Sequence, residues 1–198
     1  MLDQFDLGHD FFEKLALVDE GIARAVAANN CPACGGRLHR GDYERKPRGG
    51  LIAPKGETSV TRFSLCCGRE GCRKRALPPS VRFLGRRVYL GVVVIVASIV
   101  AQALTELGEL RELRSKTGVP ARTVRRWLGW WSGPFVTTEV FVTVCARLVG
   151  VAAAELPSSI VERLEGSPME KVSAMLDLLA PLTTRSVPDG SRYVRDAA

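Results

Sequence analysis

The sequence predicts a mainly α-helical protein with one small β element gathered around cysteines, flanked by an N-terminal helix, a helical bundle and C-terminal helices. Three observations carry this expectation. Five of the six cysteines fall within residues 31–72. Apolar residues recur at helical spacing on both sides of that stretch. A basic amphipathic run follows a Gly-Val-Pro turn at residues 118–120. At 198 residues, 46% hydrophobic and 25% charged, the chain has the balance of a globular protein that buries a real core.

The net charge of +7 is unevenly spread. Residues 1–30 carry −4, residues 31–87 carry +10, residues 88–104 carry none, residues 105–131 carry +3 and residues 132–198 carry −2. A basic centre between acidic ends points to a polyanionic partner.

Residues 1–30 read as an amphipathic helix. Asp10 is placed to cap it, with Glu13 three residues on, and Phe11, Leu15, Val18, Ile22 and Val26 follow at helical spacing until Asn29 and Asn30 stop it. Acids at Asp3, Asp6, Asp10 and Glu13 stand where a secretory leader needs cationic and then apolar residues. The expected location is therefore cytoplasmic, or nucleoid-associated for a DNA-binding chain, with thiols kept reduced.

In residues 31–87 the run CPACGG sets Cys31 and Cys34 two residues apart, the spacing that lets both sulfurs reach one ion, with glycines for the tight turn. The run TRFSL at residues 61–65 reads as a strand leading into a second knuckle. Alternation puts Phe63, Leu65 and Cys67 on one face, which favours Cys67 with Cys72 as the second ligand pair and Cys66 as the substitute for Cys67. His39 is a further candidate nitrogen donor. Four protein ligands make a closed structural Zn2+ site, a zinc ribbon that folds the module and does no chemistry. Basic residues available for phosphate contacts are Arg45, Lys46, Arg48, Arg73, Lys74, Arg75, Arg86 and Arg87.

Residues 88–131 open on 18 uncharged positions, 88–105, at the lower edge of transmembrane length. β-Branched residues crowd its first half, but its length and its dilution by Gly91, Ser98, Gln102 and Thr105 favour a buried core helix over a membrane span. Residues 107–131 follow. Leu113, Gly118, Val119, Val124 and Trp127 sit at the spacings a helix-turn-helix uses for its first-helix contact, turn glycine, turn hydrophobe and two second-helix contacts. Thr117 stands where an apolar residue is more usual, and Arg114 where a small one is. Val124, Trp127, Leu128 and Trp131 form the expected buried stripe, which leaves Arg122, Arg125, Arg126 and Gly129 on the opposite face.

Residues 132–182 read as C-terminal helices. Val136, Val140, Val144 and Leu148 lie four apart, and Cys145 on the same helix is expected in the core. Ser167 to Glu170 forms a capping box that opens a helix with Val172, Leu176 and Leu179 inward, ending at Pro181. Residues 183–198 read as a polar, frayed tail.

With CPACGG, FSLCC, GCRKR, PPSVRFLGRRVYLG and the tryptophan-rich turn and helix in this order, residues 31–131 resemble the amino-terminal DNA-binding region of insertion-sequence transposases, and also short bacterial transposase-like proteins. The resemblance implies binding to double-stranded DNA in the setting of a mobile element. Transposases of this kind carry a catalytic acidic triad on a ribonuclease-H-like fold, for which the 67 residues after Trp131 are too few. Glu139, Glu155, Glu162 and Asp177 are scattered helix-surface acids. The expected function is thus a non-enzymatic, zinc-stabilised DNA-binding protein. The alternatives are an RNA- or RNA-polymerase-associated zinc ribbon and a protein-interaction module with a basic face.

Overall fold

The computed structural model describes residues 8–48, 60–84, 89–103, 113–115 and 117–183. Among them the chain is mainly helical, with two small antiparallel sheets. Helix α1 (His9–Ala28) buries Leu15, Asp19, Ile22, Ala23 and Val26. That stripe advances by four, three and four residues, so the position beside Val18, not Val18 itself, faces inward. Val18 is 40% exposed and Asp19 only 1%. The N-cap is Gly8, without a side-chain cap, and Asp10 stands inside the first turn, where its charge still suits the helix dipole.

The cysteine-rich module follows as strands β1 (Leu38–Arg40), β2 (Tyr43–Arg45), β3 (Val60–Arg62), β4 (Leu65–Cys67) and β5 (Arg75–Ala76). One sheet has the order β1-β4-β5; β2 and β3 form a separate pair. The expected strand over residues 61–65 is therefore broken at Phe63 and Ser64, and its two ends serve different sheets. Asp42 fixes the break, because its Oδ1 accepts from the Ser64 amide at 2.8 Å and its Oδ2 from Arg40 Nε at 2.9 Å.

Helix α2 (Gly91–Ala103) is the core element expected within residues 88–105. Val92, Val93, Val94, Ile95, Val96, Ala97 and Val100 are all buried, and burial on every side overrides the strand preference of its β-branched residues. No helix among the described residues is long and apolar enough to cross a membrane. Gly91 lets α2 approach its neighbour, since a Cβ there would meet Leu176 Cδ2 at 2.8 Å. Helix α3 (Ala121–Ser132) packs across α2 and is tied to it where Trp131 Nε1 donates to Ser98 Oγ at 3.1 Å.

A 3-10 turn (Pro134–Thr137) leads to α4 (Glu139–Arg147), whose Thr138 cap accepts from the Phe141 amide. Val144 is buried, with Val136, Val140 and Leu148 packed partly against the core. Cys145 is exposed, contrary to expectation: it follows Val144 by one position, and one step along a helix turns the side chain away from the core. Helix α5 (Ser158–Glu162) and helix α6 (Pro168–Leu179) complete the bundle, with the Ser167–Glu170 capping box formed and Val172, Met175, Leu176 and Leu179 buried. The chain runs on through a 3-10 turn (Ala180–Thr183), and Thr183 is itself buried, so the frayed segment does not begin there; residues 184–198 lie outside the described residues.

Thr183 is held by a cluster that joins α1 and the last 3-10 turn to the basic module. Its Oγ1 accepts from the Ser80 amide at 2.7 Å. Asp19 Oδ2 accepts from Ser80 Oγ at 2.7 Å and from Arg82 Nε at 2.9 Å, while Oδ1 accepts from the Val81 amide at 2.7 Å. Arg82 Nη2 then reaches the Thr61 carbonyl at 2.9 Å. Arg62, also buried, donates to the carbonyls of Phe63 and Pro78; burial pulls its pKa down and the charge of Asp19 opposes that shift. These interactions lock α1, β3 and the end of the C-terminal bundle onto residues 80–83.

Candidate functional site

The first knuckle is a tight turn in which Gly35 N donates to the Cys31 carbonyl and Cys31 N to the Gly36 carbonyl, both at 2.8 Å. Gly35 has φ +68, the left-handed conformation that glycine adopts without strain. The second knuckle starts at the end of β4, where Cys67 N donates to the Lys74 carbonyl at 2.9 Å and the Arg69 amide donates to Cys67 Sγ at 3.4 Å. Gly71 at φ +82 and Arg73 at φ +46 turn the chain through Cys72. Arg69 joins the knuckles, its Nη1 donating to the Cys34 carbonyl at 3.0 Å. Gly36 is required for their approach, because a Cβ there would stand 3.0 Å from Cys67 Sγ and 3.3 Å from Cys34 Sγ.

The result is a cluster in which the sulfurs of Cys31, Cys34, Cys67 and Cys72 all lie within 4.8 Å of one another. Cys31 and Cys72 are 3.9 Å apart, Cys34 and Cys67 3.4 Å. A tetrahedral ion with sulfur ligands at about 2.3 Å needs sulfur–sulfur edges of about 3.8 Å. The four thiols therefore fit a metal ion such as zinc. They are the residues expected from the spacing, and Cys67, not Cys66, belongs to the set. Cys66 points away, its thiol donating to the Arg73 carbonyl at 3.5 Å. His39 is exposed and lies outside the cluster, its ring packed against Gly68.

The thiols share protons unequally. The Gly36 amide, helped by the Cys72 and Cys67 side chains, pulls Cys34 down to about 7. At Cys67 the Arg69 amide favours the thiolate, but burial and the neighbouring Cys34 thiol outweigh it and push the group up to about 12. A divalent ion binds thiolates and displaces whatever protons the metal-free cluster holds. Between about pH 6 and about pH 8 Cys34 loses its proton while Cys67 keeps its own. Zinc added to the reduced, metal-free chain is therefore expected to release more protons at the lower pH and to bind more tightly at the higher. Calorimetry in buffers of different ionisation enthalpy measures the release; equal release at both pH values contradicts this assignment.

The second candidate element is α3. Helical residues at Leu113–Ser115 and Thr117 lead into a turn at Gly118, whose φ is +66 and whose amide donates to the Arg114 carbonyl at 2.8 Å. The unusual Thr117 is buried and satisfied: its hydroxyl donates to the Leu113 carbonyl at 2.7 Å and accepts from the Val119 amide at 3.2 Å. Pro120 stands immediately before α3 in extended conformation. Of the expected stripe Val124, Trp127 and Trp131 are buried, but Leu128 is only half-buried and Thr123, one position before Val124, is buried instead; Arg122, Arg125, Arg126 and Gly129 are exposed. Trp130 packs edge-on to Trp131 and tilted against Phe135, so it belongs to the aromatic core.

Arg73, Lys74 and Arg75 are exposed after the second knuckle, as are Lys46 and Arg48. Arg45 is half-buried, its guanidinium 5.0 Å from the centre of the Phe83 ring. Arg86 and Arg87 lie outside the described residues. Apolar periodicity gave no sign of the Asp19–Arg82 cluster or of Arg62, two arginines that serve packing rather than surface charge. Glu139, Glu155, Glu162 and Asp177 are exposed, and among the described residues no acidic group with metal-binding geometry appears. Comparison with protein-family models, curated proteins and solved structures found no match.

Proposed function

We propose that the chain is a non-enzymatic, zinc-stabilised DNA-binding protein of the transposase-like, mobile-element type. Zinc is held by Cys31, Cys34, Cys67 and Cys72 in a zinc ribbon, and α3 is the second helix of a helix-turn-helix. The observation that carries this reading is the two-faced α3: three exposed guanidiniums back onto a buried stripe of Val124, Trp127 and Trp131. Among the described residues no carboxylate forms an ion pair with Arg122, Arg125 or Arg126. A helix anchored by two tryptophans presents such arginines at a fixed spacing. Arginine pairs bidentately with guanine in the major groove or clamps phosphate. Arg73, Lys74 and Arg75 supply sequence-independent phosphate contacts.

Arg122→Ala is expected to leave the melting temperature nearly unchanged while costing about 1–3 kcal/mol on a preferred duplex and far less on a scrambled one. Equal loss on both duplexes means that the helix only clamps phosphate; no loss on either rejects the groove assignment. Neutralising Arg73, Lys74 and Arg75 together is expected to flatten the slope of log K against log salt by about 0.9 for each phosphate contact removed. An unchanged slope means that they only face solvent.

A further inference from the structure

The basic module holds an exposed ring, Tyr43, that neither the base contacts proposed for α3 nor the phosphate contacts proposed for Arg73, Lys74 and Arg75 use. Of its three described aromatics, Phe83 is buried among Arg45, Arg62 and Arg82, and Phe63 is half-buried with Arg40 and Arg82 over its ring at 4.6 and 5.3 Å. Tyr43 alone is open to solvent, 39% exposed, with the Arg75 guanidinium 5.7 Å from its ring centre. The register of the three-stranded sheet aligns His39, Cys66 and Arg75 across β1, β4 and β5. Cross-strand partners share a face, and this one looks away from buried Leu65, Cys67 and Ala76. Arg73 and Lys74 precede Arg75 along the chain and are exposed with it. Of the nearby acids, Asp42 is paired with Arg40 and also accepts from the Ser64 amide, while Glu44 accepts from Thr61 Oγ1 at 2.6 Å and keeps its charge; Arg73, Lys74 and Arg75 outnumber it.

We propose that the exposed ring of Tyr43, on β2 of the two-stranded sheet and with the Arg75 guanidinium of β5 over one side of it, takes an unpaired nucleobase of a DNA strand. An exposed phenol ring among cations combines the two features that single-strand sites use, a π-face for the base and positive charge for the backbone. Within a duplex each base is already covered by its neighbours, so a ring on a sheet surface gains a partner only where a strand is unpaired. This inference rests on the DNA-binding reading and adds a junction between duplex and single strand as the preferred ligand.

The test uses the zinc-loaded full chain in anisotropy titrations against a blunt duplex, the same duplex with a short single-stranded thymidine extension, and the extension alone. The extension is expected to tighten binding by about ten-fold, the order that one stacked base supplies. Tyr43→Phe keeps that gain. Tyr43→Leu, which retains apolar bulk without a ring, loses it and leaves blunt-duplex affinity unchanged. The proposal is overturned if the extension adds nothing to the wild-type chain, if Tyr43→Leu keeps the gain, or if that variant weakens both duplexes equally. Blunt-duplex binding without any extension gain defeats this inference alone. Binding only to probes with single strand, with loss in Tyr43→Leu, upholds it and defeats the duplex reading. Failure to bind any probe overturns both.

Discussion

Chain purified under reducing conditions without chelators is expected to carry about one zinc, and stripping it is expected to unfold residues 31–80. Among the described residues of that segment the buried apolar side chains besides the cysteines are Leu38, Leu65, Ala76, Pro78 and Pro79, and its strands are two or three residues long. Such a module lacks the apolar area to hold itself together. Structural zinc in small modules contributes on the order of 10–16 kcal/mol, more than any single packing contact here. Cys34→Ser and Cys72→Ser are each expected to lose the metal and expose the segment to protease. Cys66→Ser is expected to keep both metal and resistance, since the Cys66 thiol lies outside the cluster and bonds the Arg73 carbonyl. Elemental analysis with limited proteolysis checks the three variants together. Metal retained in Cys67→Ser and lost in Cys66→Ser would reverse the choice between these neighbours.

Asp19→Ala is expected to destabilise the protein by about 3–5 kcal/mol, the range for removing one partner of a buried ion pair. The side chains of Asp19 and Arg82 are 1% and 7% exposed, so water does not replace the lost carboxylate. The substitution also strips acceptors from the Ser80 hydroxyl and the Val81 amide. Asp19→Asn keeps an acceptor but not the charge, and an intermediate loss is expected. Denaturant midpoints measure both. A change below about 1 kcal/mol for Asp19→Ala is the behaviour of a surface pair and contradicts the structural role given to this cluster.

The parts of the fold legible in the sequence are those governed by local pattern. The Cys31–Cys34 spacing, the alternation that selects Cys67 over Cys66, the Ser167–Glu170 capping box and the α3 stripe each depend on residues within a few positions of one another. What escaped is long-range or polar. Asp19 completes the buried stripe of α1, but an acid breaks apolar periodicity, so the neighbouring Val18 looked like the core position. Its partner Arg82 is 63 residues away and was hidden among surface bases. Strand β2 was missed because its pairing with β3 spans residues 46–59, and a three-residue strand in a basic stretch carries no periodic signal. Cys145 failed for the opposite reason: its residue type favours burial, but its helix phase, one position beyond Val144, sets it toward solvent.

Selection of preferred sites from random duplex DNA by the zinc-loaded full chain, with structured RNA as competitor, tests the central claim most directly. Enrichment of a defined sequence, bound more tightly than the RNA and lost with Arg122→Ala or on removal of zinc, is the predicted result. No enriched sequence, or RNA competing on equal terms with every duplex, would contradict it.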